Sequence, residues 1–179
     1  QRFGKEIDAI SQVVKINQKD HAQGHICPDC RRWLETGPMV LRMTALEKSR
    51  QSDGAKKDFY EAVALTMEGA GTFTQRYAKR AEAMAETAGA QQKQELLQIA
   101  ANCRALSQRP PQSFQEALQS LWFLFVILQL ESNASSFSPG RLDEILWPFY
   151  ERDRRERGLT KPQALEYIEC LWLKFNQIV

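Results

Sequence analysis

The chain has 179 residues, 43% of them hydrophobic, enough to build one domain around a real core. Charged side chains make up 26%, yet the formal net charge is only +2, so no overall field draws the chain to nucleic acid or to an anionic membrane. The longest apolar run, LWFLFVILQL at 121–130, is shorter than the roughly 18 residues needed to span a bilayer and is expected to form a buried helix. Nothing after Gln1 has the charged and apolar regions of a signal peptide. Four cysteines (27, 30, 103, 170) without secretory features fit reduced thiols in a soluble, cytoplasmic protein.

In chain order, the segment 1–54 reads as loop-rich, with VVKIN at 13–17 and PMVLRM at 38–43 as its short strand candidates. From 55 to 179 the pattern is helical, which predicts a mainly α fold. Phe59, Val63, Met67, Ala70, Phe73, Tyr77, Ala81 and Met84 line one face of a long helix that should stop at Gly89. Leu96, Ile99, Cys103 and Leu106 form a second stripe, closed by Pro110 and Pro111, and Cys103 is expected in the core. Ser113 and Glu116 read as a capping box before the apolar segment 117–130. A helix apolar nearly all round needs partners on several sides, so it is expected to lie inside a larger body.

After the polar loop SNASSFSPGR at 132–141, LDEILWPFYERD should be helical, with Pro148 breaking or restarting it. The mixed-sign run ERDRRERG at 151–158 reads as a solvated helix tail. The last helix opens at Thr160, with Pro162 in its first turn, and is expected to turn Leu165, Ile168, Trp172 and Phe175 inward; Cys170 between them reads as structural. No period of 20–50 residues repeats, which argues against a solenoid.

The densest chemistry is HAQGHICPDC at 21–30, with His21, His25, Cys27 and Cys30. As a zinc site it has one C-x2-C grip, but all four ligands crowd one loop, whereas tetrahedral sites draw their ligand pairs from separated turns. As a redox C-x-x-C it lacks the strand and helix alternation that should follow. A polar surface loop is the third reading.

The rest of the chain bears on that stretch. VKINQKDHAQGHICPD, LLQIAANCRALSQRPPQSFQEALQSLWFL, LQLESNASSFSPGRLDEILWPFYERD and ALEYIECLWLKFNQIV follow one another in an order that resembles the pyruvate formate-lyase superfamily of glycyl radical enzymes. The resemblance is to the branch related to cobalamin-independent glycerol dehydratase. Its most specific part is the third stretch, close to E-S-N-x-x-S-x-S-x-G-R-x-D.

The resemblance implies that residues 1–179 are part of a single pyruvate formate-lyase-type domain, incomplete at both ends, and a helical fragment of a larger ten-stranded α/β barrel. It implies radical lyase chemistry, either dehydration or carbon-carbon cleavage of the formate acetyltransferase kind. It also implies a protein-based glycyl radical installed by a radical SAM activating enzyme, a homodimeric parent, and a small polar substrate. His25 matches a histidine that contacts a substrate hydroxyl, and Ser136 a loop serine that hydrogen-bonds it; both tilt the reading toward elimination of a hydroxyl. Ser135 stands where the dehydratases often carry histidine, which puts glycerol itself in doubt. Asn133, Arg141 and Asp143 match the scaffold of the same loop, the last two as an expected ion pair. The family's thiyl loop (Gly-Cys-x-Glu) and glycyl loop (Arg-Val-x-Gly-Tyr) occur nowhere in the chain, so no residue here is expected to be catalytic and the isolated chain is expected to be silent. No metal is expected, and Cys27 and Cys30 have no assigned role. A helical interaction module without catalysis is the competing reading.

Overall fold

A computed structural model of the chain describes residues 25–132 and 136–177. The strand candidate at 13–17, His21, Asn133 and Ser135 lie outside the described residues. The elements run β1 (His25–Ile26), α1 (Cys30–Arg50), α2 (Gly54–Thr87), α3 (Ala90–Leu106), α4 (Phe114–Glu131), β2 (Ser136–Phe137), α5 (Leu142–Glu156) and α6 (Lys161–Phe175). The fold is mainly α, as the helical periodicity implies. No helix among the described residues is long and apolar enough to cross a membrane.

Helix α1 occupies part of the stretch expected to be loop-rich, and PMVLRM is helical within it, not a strand. The reason is the Gly37-Pro38 pair. Gly37 takes φ 64 and ψ 173, a conformation that interrupts the helix, and Pro38, with its φ preset, starts the second segment. A Cβ on Gly37 would lie 3.3 Å from the Pro110 Cα and N, so the interruption is also where α1 meets the connection between α3 and α4.

Helix α2 packs between α1 and α3 on a face rotated from the expected stripe, of which Ala70 and Ala81 are buried and Phe59, Tyr77 and Met84 are not. Its buried positions are Ala64, Ala70, Gly71, Thr74, Ala78, Ala81 and Ala85, while Phe59 is 62% exposed and Tyr77 and Met84 are also exposed. Small side chains let the helix axes approach, which displaces the large apolar residues to the rims of the contact. From there Phe73 and Tyr77 reach the ring of Phe123 on α4 at 6.0 and 5.5 Å. On α3, Cys103 and Leu106 are buried and Ile99 is exposed.

The N-terminus of α4 is capped more elaborately than by a reciprocal box. Ser113 accepts from the Glu116 N–H at 3.1 Å. The Glu116 carboxylate, however, turns to the Arg109 guanidinium (2.8 and 2.9 Å) and the Gln112 N–H (2.6 Å). Burial pushes this carboxyl up, but those hydrogen bonds and the charges of Arg109 and Arg157 outweigh it and hold the group below its ordinary value. Asp153, in the run expected to be a solvated tail, is buried instead and accepts from the Phe114 N–H at 2.7 Å and from Arg157 at 2.5 Å. A carboxylate at the first free amides of a helix is favoured by both hydrogen bonding and the helix dipole.

Helix α5 runs through Pro148 without a break. One intrahelical bond is lost there, while Leu146, Phe149 and Tyr150 stay packed on the core built around Phe114, Leu118 and Leu121. Helix α6 opens on a complete capping box between Thr160 and Gln163. Its buried positions are Ala164 and Leu171, whereas Leu165, Ile168 and Trp172 face outward and Cys170 is exposed. The inward face is thus rotated from the expected stripe, because α6 has α4 as its main neighbour and only Phe175 of that stripe packs against the core cluster.

Candidate functional site

The segments beginning at His25 and at Ser136 come together as a short parallel pair, β1 with β2, in which His25 lies opposite Ser136 and Ile26 opposite Phe137. The Ser138 N–H extends the pairing by donating to the Ile26 carbonyl at 2.8 Å. Residues 111 positions apart therefore meet, and the His25 Nδ1 and the Ser136 hydroxyl are hydrogen-bonded. His25 is exposed and Ser136 half-buried, so both polar ends can be reached.

The chemistry of this pair follows from its geometry. When the neutral imidazole carries its proton on Nε2, the Ser136 hydroxyl donates to Nδ1 and the Nε2–H points elsewhere as a free donor. When Nδ1 carries the proton, it donates to Ser136, whose own hydroxyl hydrogen is then available to a second oxygen. Either way, two neighbouring polar groups present one donor to a bound hydroxylated molecule and exchange roles with a single proton shift.

Charged residues brace the two helices that leave the pair. Arg141, the N-cap residue of α5, forms a two-point bond with Asp143 at 2.9 and 2.6 Å, and its guanidinium also lies 3.6 Å from Glu144. That bond from Arg141 holds the Asp143 carboxyl down to about 2. Arg31, in the first turn of α1, is 3.6 Å from Glu144. These pairs are exposed, so they orient the loop ends and add little stability.

The two cysteines of the opening stretch part company. Cys27 is exposed, whereas Cys30 begins α1 and is 2% exposed; burial, with Cys27 and Asp29 close by, pushes its thiol up to about 11. Among the described residues no three His, Cys, Asp or Glu side chains converge as a metal site. A polar cleft of about 460 Å³ lies beside the α4 N-terminus, lined by Arg109, Glu116, Asp153 and Arg157, but these groups are bonded to one another as a structural clasp. Local pattern did not single out Phe137, whose place opposite Ile26 becomes visible only when the two strands pair.

These features define a helical segment that presents a His–Ser pair from two loops. A family model described as pyruvate formate lyase-like matches residues 1–179, and the chain belongs to this family, the glycyl radical enzymes of the pyruvate formate-lyase superfamily. It is 38% identical to the (2S)-3-sulfopropanediol dehydratase of Klebsiella oxytoca over 184 residues, covering 98% of this chain and 22% of that protein. It is 39% identical to the trans-4-hydroxy-L-proline dehydratase of Clostridioides difficile over 123 residues, covering 68% of this chain and 16% of the relative. Among solved structures, the glycerol-bound B12-independent glycerol dehydratase of Clostridium butyricum superposes with a TM-score of 0.83 at 34% identity, covering 90% of this chain and 21% of that one. The chain thus spans about a fifth of the length of the relatives it matches.

Proposed function

We propose that this chain forms one wall of the substrate site of a glycyl radical dehydratase, in which His25 and Ser136 hold adjacent oxygens of a small hydroxylated substrate. The observation that carries the reading is the hydrogen bond between His25 and Ser136 across 111 positions of sequence. Three relatives, a sulfopropanediol dehydratase, a hydroxyproline dehydratase and a glycerol dehydratase, support elimination of water.

In this reading a glycyl radical on protein beyond these residues, installed by a radical SAM activating enzyme, would supply the radical for hydrogen abstraction from the substrate. The residues here bind, orient and move protons. A departing hydroxyl needs a proton, and the imidazole of His25 can deliver one while Ser136 fixes its ring orientation. Ser135, Ser136 and Asn133 select the substrate, and Arg141 with Asp143 orients the segment that follows. Residues 1–179 belong to a single domain of a longer cytoplasmic, homodimeric enzyme, and alone they are silent because neither radical loop is present.

The test is substitution in the complete, activated protein that carries this segment. His25→Ala is expected to lower kcat for a diol substrate by about 10²–10⁴, the range for loss of a positioned acid or base. Activity within threefold of the unsubstituted enzyme would remove His25 from the site.

A further inference from the structure

The pair β1 with β2 is two residues long on each side, too short to hold its own register. Something other than the strand pairing must keep Ser136 against His25. Successive side chains on a strand point to opposite faces, so the residue after Ser136 is directed away from His25 and into the protein. That residue is Phe137. Its ring meets Phe125 of α4 at 4.9 Å and 76°, and Phe175 of α6 at 6.3 Å and 49°. Phe125 and Phe175 meet each other at 5.1 Å and 60°, and Trp122 stacks beneath Phe125 at 5.6 Å and 24°. Three rings from three elements thus close a triangle, with edge contacts of Phe125 to Phe137 and to Phe175 and a tilted contact between Phe137 and Phe175.

We infer that Phe137 is a positioning residue: anchored between Phe125 and Phe175, it fixes β2 so that the Ser136 hydroxyl stays on the His25 imidazole. The inference rests on the reading of His25 and Ser136 as a substrate-holding pair. It adds that the pair is set from behind, by helices α4 and α6, and not by the charged braces at the loop ends. The reason is rigidity. The ring of Phe137 has two torsions and packs on two helices, whereas the Arg141 and Asp143 side chains are largely exposed and screened by water.

The experiment uses the full 179-residue chain with ¹⁵N-labelled histidine, at a pH about two units above the ordinary imidazole value of about 6.5. The chain has two histidines, and His25→Gln assigns the spectrum. Long-range ¹H–¹⁵N spectra report which ring nitrogen carries the proton. The unsubstituted chain is expected to show His25 nitrogen shifts displaced from those of a free neutral imidazole, and Ser136→Ala to collapse them toward the free values. Phe137→Ala should reproduce the Ser136→Ala pattern with the His21 signals and the helical circular dichroism unchanged, and Phe137→Tyr, which keeps the ring, should restore the pattern of the unsubstituted chain.

Phe175→Leu trims the same triangle from α6 without touching β2, and it carries the test if Phe137→Ala loses helical signal; it should give a partial collapse. A His25 pattern unchanged in Phe137→Ala, or in Phe175→Leu where that variant decides, would overturn the inference. So would Ser136→Ala leaving His25 unchanged. Loss of the substrate reading is registered separately, by full activity of His25→Ala in the activated enzyme, which does not alter these spectra.

Discussion

Replacing Gly37 by alanine tests the junction between α1 and the connection from α3 to α4. Gly37 combines φ 64 with ψ 173, a region in which residues with a Cβ cost about 1–3 kcal/mol. The new Cβ would also stand 3.3 Å from both the Cα and N of Pro110 and 3.4 Å from the Arg109 carbonyl carbon, all backbone atoms that cannot swing aside. Overpacking of this kind adds about 1 kcal/mol or more, and the narrower unfolded ensemble of alanine returns about 0.4–1 kcal/mol. The net expectation is a loss of about 1–3.5 kcal/mol, or roughly 2–14 °C in Tm for a chain of this size. Urea unfolding followed by circular dichroism measures it. Gly69→Ala is the matched control: it lies in the interior of α2 with nothing within 4 Å of its Cβ, so it should gain about 0.5–1 kcal/mol. A Gly37→Ala chain as stable as the unsubstituted one would refute the assignment of this glycine to backbone geometry.

Asp153→Ala removes the buried acceptor of the Phe114 N–H and strands Arg157, and should cost about 2–3 kcal/mol in the same urea assay, against nearly nothing for Glu156→Ala on the exposed tail. Acid unfolding should depend on Glu116. Its carboxyl is held below its ordinary value of 4.5, so the folded chain binds fewer protons than the unfolded one in that window. Its stabilisation is complete above 4.5 and is lost as pH falls through the lower folded value, and Glu116→Gln should flatten the stability profile there. Thiol labelling should divide the cysteines: Cys27 and Cys170 are exposed and should react within the mixing phase, whereas Cys30 and Cys103, buried and pushed up to about 11, should react only as the chain opens.

Helix positions were legible because caps and breakers are local signals. Thr160 with Gln163, Ser113, and the proline pair at 110 and 111 mark ends that the structure keeps. Helix faces were less so. A stripe of large apolar residues measures hydrophobicity, whereas the α2 contact selects for small size, and Ala78 rather than Tyr77 lies at its centre. Asp153 was hidden because a charge run looks alike whether all of it is solvated or one member caps a distant helix. Gly37 needed a positive φ that no spacing rule reveals.

The candidate site was legible only through family resemblance, since nothing local links His25 to a serine 111 positions away. Once that link exists, the alternation of side chains along two residues of strand places Phe137 behind Ser136. The C-x2-C of residues 27–30 is divided by burial, with Cys30 in the core beside Trp33 and Leu34.

The most direct measurement of the central claim is a double-mutant cycle on His25 and Ser136 in the complete activated enzyme, reading kcat/KM for a small diol. If the two side chains act as one substrate-holding unit, His25→Ala and Ser136→Ala each lose activity and the double variant loses little more than the worse single one. Losses that multiply would make them independent groups, and two singly substituted enzymes with undiminished kcat/KM would contradict the substrate-wall account.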